Sequence, residues 1–148
     1  MTSDYAQMIA LRDHLRTITV ANGYPITVDA VEIGNAALVG DGNTTKTVIA
    51  LVMQQDAPDT NTAPQSGFQR WERTLALEAS AYGASNWDET VSALWYAIRR
   101  ALHRFTQFPM SWQPAEFVAP AMGSTGSGVL CGVRVSLSFI YQLDFRGK

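Results

Sequence analysis

Catalysis and ligand binding need polar groups that converge, and few residues in this chain are spaced for that. Asp13 precedes His14 directly, the pair of residue types in which an acid orients a base. Adjacent residues on a helix, however, point about 100° apart and cannot face each other. His103, the other histidine, has no Cys or His near it at ligand spacing, so neither histidine starts a metal site. The run Gly123-Ser124-Thr125-Gly126-Ser127-Gly128 invites comparison with a phosphate-binding loop. Such loops follow a strand and open a helix whose N-terminus holds the anion, whereas here a strand comes next. A flexible loop or subunit contact is the reading that fits. Cys131 stands alone in an apolar alternation, as a buried thiol would, and rules out an internal disulfide.

No Ser, Cys, Lys or carboxylate occupies a recognisable nucleophilic or acid/base setting. The expectation is a protein that is not an enzyme and takes neither cofactor nor metal. One cationic cluster stands out, Arg99, Arg100 and Arg104, in a chain where all but two of the 11 basic residues are Arg. Basic side chains at the end of a helix offset its dipole and pair with nearby acids. The same cluster is also the kind that meets phosphates or lines a subunit interface, where Arg and aromatic residues are enriched.

These residues must be positioned by elements that the pattern predicts. Met8, Leu11, Leu15 and Ile18 recur at helical spacing, predicting a helix from about Asp4 to Val20, capped by Ser3 or Asp4 and ended by Asn22-Gly23 and Pro25. Ile26 to Ala30 alternates as a strand, and its slip of parity into Val31 and Ile33 predicts a bulge near Ala30 or Val31. Gly40 to Asn43 marks a turn. Thr47 to Gln54, apolar on both parities, reads as an inner strand covered on both faces. Gln55 to Gly67 reads as a long exposed polar loop, and Phe68 to Tyr82 as the returning arm of an antiparallel hairpin. Asn86 with Glu89 predicts a helix start, and Val91, Leu94, Trp95, Ile98 and Leu102 carry that helix to about Arg104. Thr106 to Gly128 reads as an irregular connection. The fold class is α+β, a mixed, mainly antiparallel sheet packed against two principal helices, in a single domain spanning 1–148.

Length and charge bound the answer further. With 148 residues, 47% hydrophobic and 16% charged, the chain is neither disordered nor highly charged, and its net charge of -2 supplies no overall cationic field for nucleic acid or an anionic membrane. Local basic patches fit within that balance. An acid stands where a signal peptide would be basic, and the longest aliphatic run, Val48 to Met53, is far short of the ~20 residues of a spanning helix. A soluble chain made without processing is expected.

The C-terminal element carries the strongest physical argument. From Val129 to Phe145 every odd position is apolar, which predicts one strand. At about 3.3 Å per residue it extends roughly 56 Å, against a diameter near 38 Å for a compact sphere of this size. Either the strand bends around the core or another copy of the chain covers its apolar overhang. Self-assembly is the favoured expectation.

Taken in order, the elements and a few local phrases resemble a known family. A first helix leading to Ala21-Asn22-Gly23-Tyr24, a strand, and a hairpin with a long polar loop come first. They are followed by a helix containing Asp88-Glu89 and Ile98-Arg99-Arg100-Ala101-Leu102, and by a terminal strand with Phe139-Ile140-Tyr141. This pattern is similar to the tail terminator (minor tail protein U-like) family of long-tailed bacteriophages.

The resemblance implies a virion protein that forms a homo-oligomeric, six-membered ring at the head-proximal end of the tail. Such a ring stops polymerisation of the tail tube protein and docks the head connector, while DNA passes through its hole without specific binding. Arg70, Arg73, Arg99, Arg100, Arg104, Arg134, Phe139 and Tyr141 are the candidate subunit or tail-tube interface. The loops Gln55 to Gly67 and Gly123 to Gly128 are candidates for interface or lumen. Two alternatives stand beside this: another neck, head-closure or baseplate subunit, and a monomeric small-ligand-binding α+β domain with Trp71 and Trp95 lining an apolar pocket.

Overall fold

Four consecutive β-branched residues, Thr17-Ile18-Thr19-Val20, decide where the first helix stops. Such residues lose rotamer freedom in a helix, and helix α1 (Ser3–Leu15) ends before them rather than at Val20. Thr17 Oγ1 instead donates to His14 O at 2.6 Å, and Thr19 Oγ1 accepts from Asn22 N at 3.2 Å to cap a short 3-10 turn, Val20–Asn22. Gly23, at φ 87°, then takes the left-handed conformation that closes the turn. Neither Ser3 nor Asp4 caps α1, whose N-cap is Thr2; Ser3 Oγ donates to Gln142 O, and Asp4 is held by Arg73.

The computed structural model describes residues 2–34, 47–59, 67–83, 87–118 and 129–144. The expected turn at Gly40 to Asn43, the cap at Asn86, the glycine-rich run Gly123 to Gly128 and the side chain of Cys131 lie outside the described residues. Most of the expected loop Gln55 to Gly67 does too.

Strands β1 (Ala30–Ile33), β2 (Val48–Pro58), β3 (Phe68–Gly83), β4 (Ser111–Trp112), β5 (Glu116–Val118) and β6 (Val129–Asp144) form one sheet. Its order is β1-β2-β3-β6, with β4 and β5 both paired along the outer side of β6. Every pairing is antiparallel except β1 with β2. Helix α2 (Trp87–Arg104) and α1 supply the second layer. The fold is α+β, as the alternation and helical periods predict.

Several details differ from the sequence expectations. β1 is shorter than predicted and contains no bulge; Ile26 to Asp29 leads into it, with Val28 N donating to Ile18 O. β2 extends to Pro58, consuming the first residues of the expected loop, and only Ile49, Ala50 and Leu51 are buried on both sides. The connection after α2 is not wholly irregular, because β4 and β5 hydrogen-bond to β6 within it.

The length argument resolves within one protomer. β6 runs for 16 residues and pairs along its whole length with the equally long β3. Val133, Val135, Leu137, Phe139 and Tyr141 are all buried, and they join the core built from Met8, Leu11 and Leu15 of α1 and Val91, Leu94 and Ile98 of α2. The α1 end adds polar clamps, with Gln7 Nε2 donating to Ile140 O at 3.3 Å. No apolar overhang remains between Val133 and Tyr141, so over that stretch strand length does not argue for a second copy; the side chains of Val129 and Cys131, and Phe145, lie outside the described residues.

Candidate functional site

The eight residues assigned to an interface do not form one surface. Three of them are interior. Arg73 is 8% exposed, Phe139 2% and Tyr141 7%, which corrects their assignment to a subunit or tube interface. Alternation alone marks an apolar face without revealing whether a helix of the same chain already covers it. Here the turn after α2 does so, through ring contacts that run from Phe105 edge-on to Phe108 and from Phe108, tilted, to Phe139, with ring centroids 4.8 and 5.2 Å apart.

Arg73 is buried at the centre of a polar cluster that reaches the surface, with Tyr141 buried, Asp4 half-buried and Asp56 exposed. It forms a bidentate pair with Asp56, Nε to Oδ1 and Nη2 to Oδ2 both at 2.8 Å, and its Nη1 reaches Asp4 Oδ2 at 2.8 Å. Tyr141 Oη donates to Asp56 Oδ2 at 2.8 Å, and the guanidinium lies 5.0 Å from the centre of the Tyr141 ring. One cation thus ties the first turn of α1 to three strands. The Arg73 hydrogen bonds hold Asp56 below the usual carboxylate range. Burial alone would raise Asp4, but hydrogen bonds from Thr2 and Arg73 outweigh it and hold that group low as well. Burial, followed by the bond to Asp56, pushes the Tyr141 phenol up, while the two carboxylates raise Arg73. Every member is satisfied and occupied with its neighbours, so the cluster is built to hold elements together.

Arg70 and Arg134 lie at the surface. Arg70 Nε stands 3.6 Å from Asp59 Oδ2, and Arg134 Nε stands 3.5 Å from Glu78 Oε1, its direct partner across β3 and β6. The Arg134–Glu78 pair is open to solvent on both sides and such pairs are worth about 0–1 kcal/mol, whereas the Asp59 side chain is only 7% exposed.

Arg99, Arg100 and Arg104 all lie on the last turns of α2, and aromatic rings on two sides position them. The Arg99 guanidinium lies 5.1 Å from the centre of the Trp95 ring, while Arg100 and Arg104 lie 5.2 and 5.6 Å from that of Tyr24. Arg100 Nη1 also donates to Gly23 O at 2.6 Å. The acids expected to neutralise this cluster are not there: no carboxylate among the described residues lies within ion-pair distance of any of the three.

One surface feature was not legible in the sequence. β4 and β5 set Trp112 opposite Leu137 and Phe117 opposite Val133 on the outer side of β6, where they remain 40% and 57% exposed. Trp112 meets Trp95 of α2 edge to face at 6.2 Å. Strands of two and three residues are too short for alternation to signal, and Pro114 between them reads as loop.

His14 and Asp13 turn away from each other. His14 Nε2 lies 2.7 Å from Ala101 O, its ring packs on Phe105, and Asp13 pairs with Arg12 and Arg16. The described residues contain no group of three or more His, Cys, Asp or Glu placed to hold a metal ion. Trp71 and Trp95 do not share a pocket: Trp71 pairs with Tyr141 at one end of the β3–β6 ribbon, while Trp95 meets Trp112 opposite Leu137. A shallow open depression of about 490 Å³ along α1, bordered by Ala6, Ala10, Asp13, His14 and Gln107, includes neither.

A comparison with models of known protein families finds none that matches this chain, and a comparison with curated proteins finds no significant relative.

Proposed function

We propose that this protein is a structural subunit of a phage tail neck. In this reading its copies form a ring at the head-proximal end of the tail, which ends tube polymerisation and offers a docking surface to the head connector while DNA passes through the hole. The order of elements on which the resemblance rests, a helix, a strand, a long-looped hairpin, a second helix and a long terminal strand, is the order in which they occur here, and this supports the reading.

The observation that carries the proposal is the aromatic edge at β4 and β5. A closing ring of identical subunits needs head-to-tail contacts, in which two different patches of one chain meet. Exposed Trp112 and Phe117 beside the open side of β4 and β5 are the apolar half of such a contact, and aromatic residues are enriched where subunits meet. The opposite edge of the sheet is β1, a separate surface of the same chain.

Light scattering at several protein concentrations, with electron microscopy of any large species alone and with tail tubes, tests this directly. Annular particles that cap tubes are expected, and Phe117→Ser should weaken their association at least tenfold while leaving the melting temperature nearly unchanged. A particle that stays monomeric and never caps tubes overturns the proposal.

A further inference from the structure

Arg12, Arg16, Arg70, Arg73 and Arg134 each lie within 4.0 Å of a carboxylate. Among the described arginines only Arg99, Arg100 and Arg104 do not, and all three belong to the last turns of α2. This is notable in a chain whose acids outnumber its basic residues, 13 to 11. The three are nevertheless held in place. Stacking on Trp95 and Tyr24 orients a guanidinium and lowers its rotamer freedom, but leaves its charge uncompensated and its edge N–H groups available. The surface therefore carries three pre-oriented, unneutralised cations, with His103 exposed among them.

We infer that Arg99, Arg100 and Arg104 form a contact surface for the phosphate backbone of duplex DNA. This deepens the neck reading above, in which DNA crosses the ring. On α2 the five steps from Arg99 to Arg104 rise about 7.5 Å and turn about 140° around the axis, which spreads the three guanidinium groups across the solvent side of the helix around exposed His103. Guanidinium groups recognise phosphate oxygens in a fork geometry and read no bases in doing so. Three contacts in an otherwise acidic chain give a weak, sequence-independent hold, suited to a duplex that must slide.

Fluorescence anisotropy of the full chain with two labelled duplexes of unrelated sequence, from low to moderate salt, tests the inference. Both duplexes should bind equally, and log affinity should fall against log salt with a slope of about -2.7 for each protomer engaged, from about -0.9 per phosphate. Arg99→Gln with Arg104→Gln keeps the Arg100 tether to Gly23 and should flatten the slope to about -0.9. Adding Arg100→Gln should abolish binding, with thermal melts checking that each variant folds. Absence of duplex binding, an unchanged slope in the double variant, or preferential binding of polyglutamate over DNA at equal salt would each overturn it. A ring that forms but ignores DNA sinks this inference alone; DNA binding by a chain that never forms rings removes the neck reading and leaves the phosphate surface standing.

Discussion

Asp56 faces Arg73 because β2 contains one extra residue. The pairing of β2 with β3 shifts between Met53 and Gln55: Met53 lies opposite Leu75, yet Gln55 lies opposite Thr74 and Asp56 opposite Arg73. Without that shift the register begun at Met53 would set Gln55 against Arg73 and Asp56 against Glu72, two like charges side by side on the opposite face. The irregularity at Gln54 therefore creates the bidentate pair at the centre of the polar cluster. Bulges that redirect one side chain are a recurrent device of sheets.

Deleting Gln54 should remove the irregularity and keep the pair. The shortened strand runs in unbroken register from Met53 opposite Leu75 to Gln55 opposite Thr74 and Asp56 opposite Arg73, so the bidentate contact survives. Urea unfolding of the deletion variant should show a stability change of no more than about 1 kcal/mol. A larger loss would show that the cluster depends on the bulge itself and not only on the register it sets.

The same cluster makes stability depend on pH in a defined direction. Asp4 and Asp56 are held below their ordinary range when folded, so their contribution is complete above the unfolded carboxylate value, near 4, and is lost as pH falls through the lower folded values. Tyr141 acts oppositely: its raised phenol contributes below about pH 10 and loses that contribution as pH rises through the folded value. Asp56→Asn should cost about 1–3 kcal/mol at neutral pH. The gap between variant and parent should narrow as urea midpoints are followed down to about pH 3. A gap that stays constant across that range would contradict the cluster as described.

Gly132 is fixed by its neighbour across the sheet. A Cβ at this position would sit 2.6 Å from Ala79 O, a backbone atom of β3 that cannot swing aside. Gly132→Ala should therefore push β3 and β6 apart locally and cost about 1–3 kcal/mol. Thermal melting measures the cost, and hydrogen exchange should show faster opening near Ala79 and Ser80 than at Leu75. A neutral or stabilising substitution would mean that the two strands are further apart than described.

Phe139 separates folding from assembly. Because it is buried inside the protomer, Phe139→Ala should cost about 3–5 kcal/mol of folding stability. Phe117→Ser should instead change self-association and leave folding nearly intact. Chemical unfolding combined with sizing of both variants distinguishes the two. If Phe139→Ala folded with full stability but failed to assemble, its side chain would belong to an interface after all.

The four longest elements, namely α1, β3, α2 and β6, and the apolar face of each, were legible in the sequence. Spacing of three and four from Met8 to Leu15 and from Val91 to Leu102, and alternation from Phe68 to Gly83 and from Val129 to Asp144, are written in neighbouring residues, so they survive reading one residue at a time. The α+β class followed from them. What lies against each apolar face is not local information. Contacts between distant segments settle that α1, α2 and the Phe105 to Phe108 turn already cover β6, which places Phe139, Tyr141 and Arg73 in the interior rather than on an interface. They also settle that β1 runs parallel to β2, that β4 and β5 carry Trp112 and Phe117 to an open edge, and that Asp56 meets Arg73 rather than Glu72. Each of these depends on register between segments far apart in the chain. A shift of one residue there reverses a face without changing any local pattern.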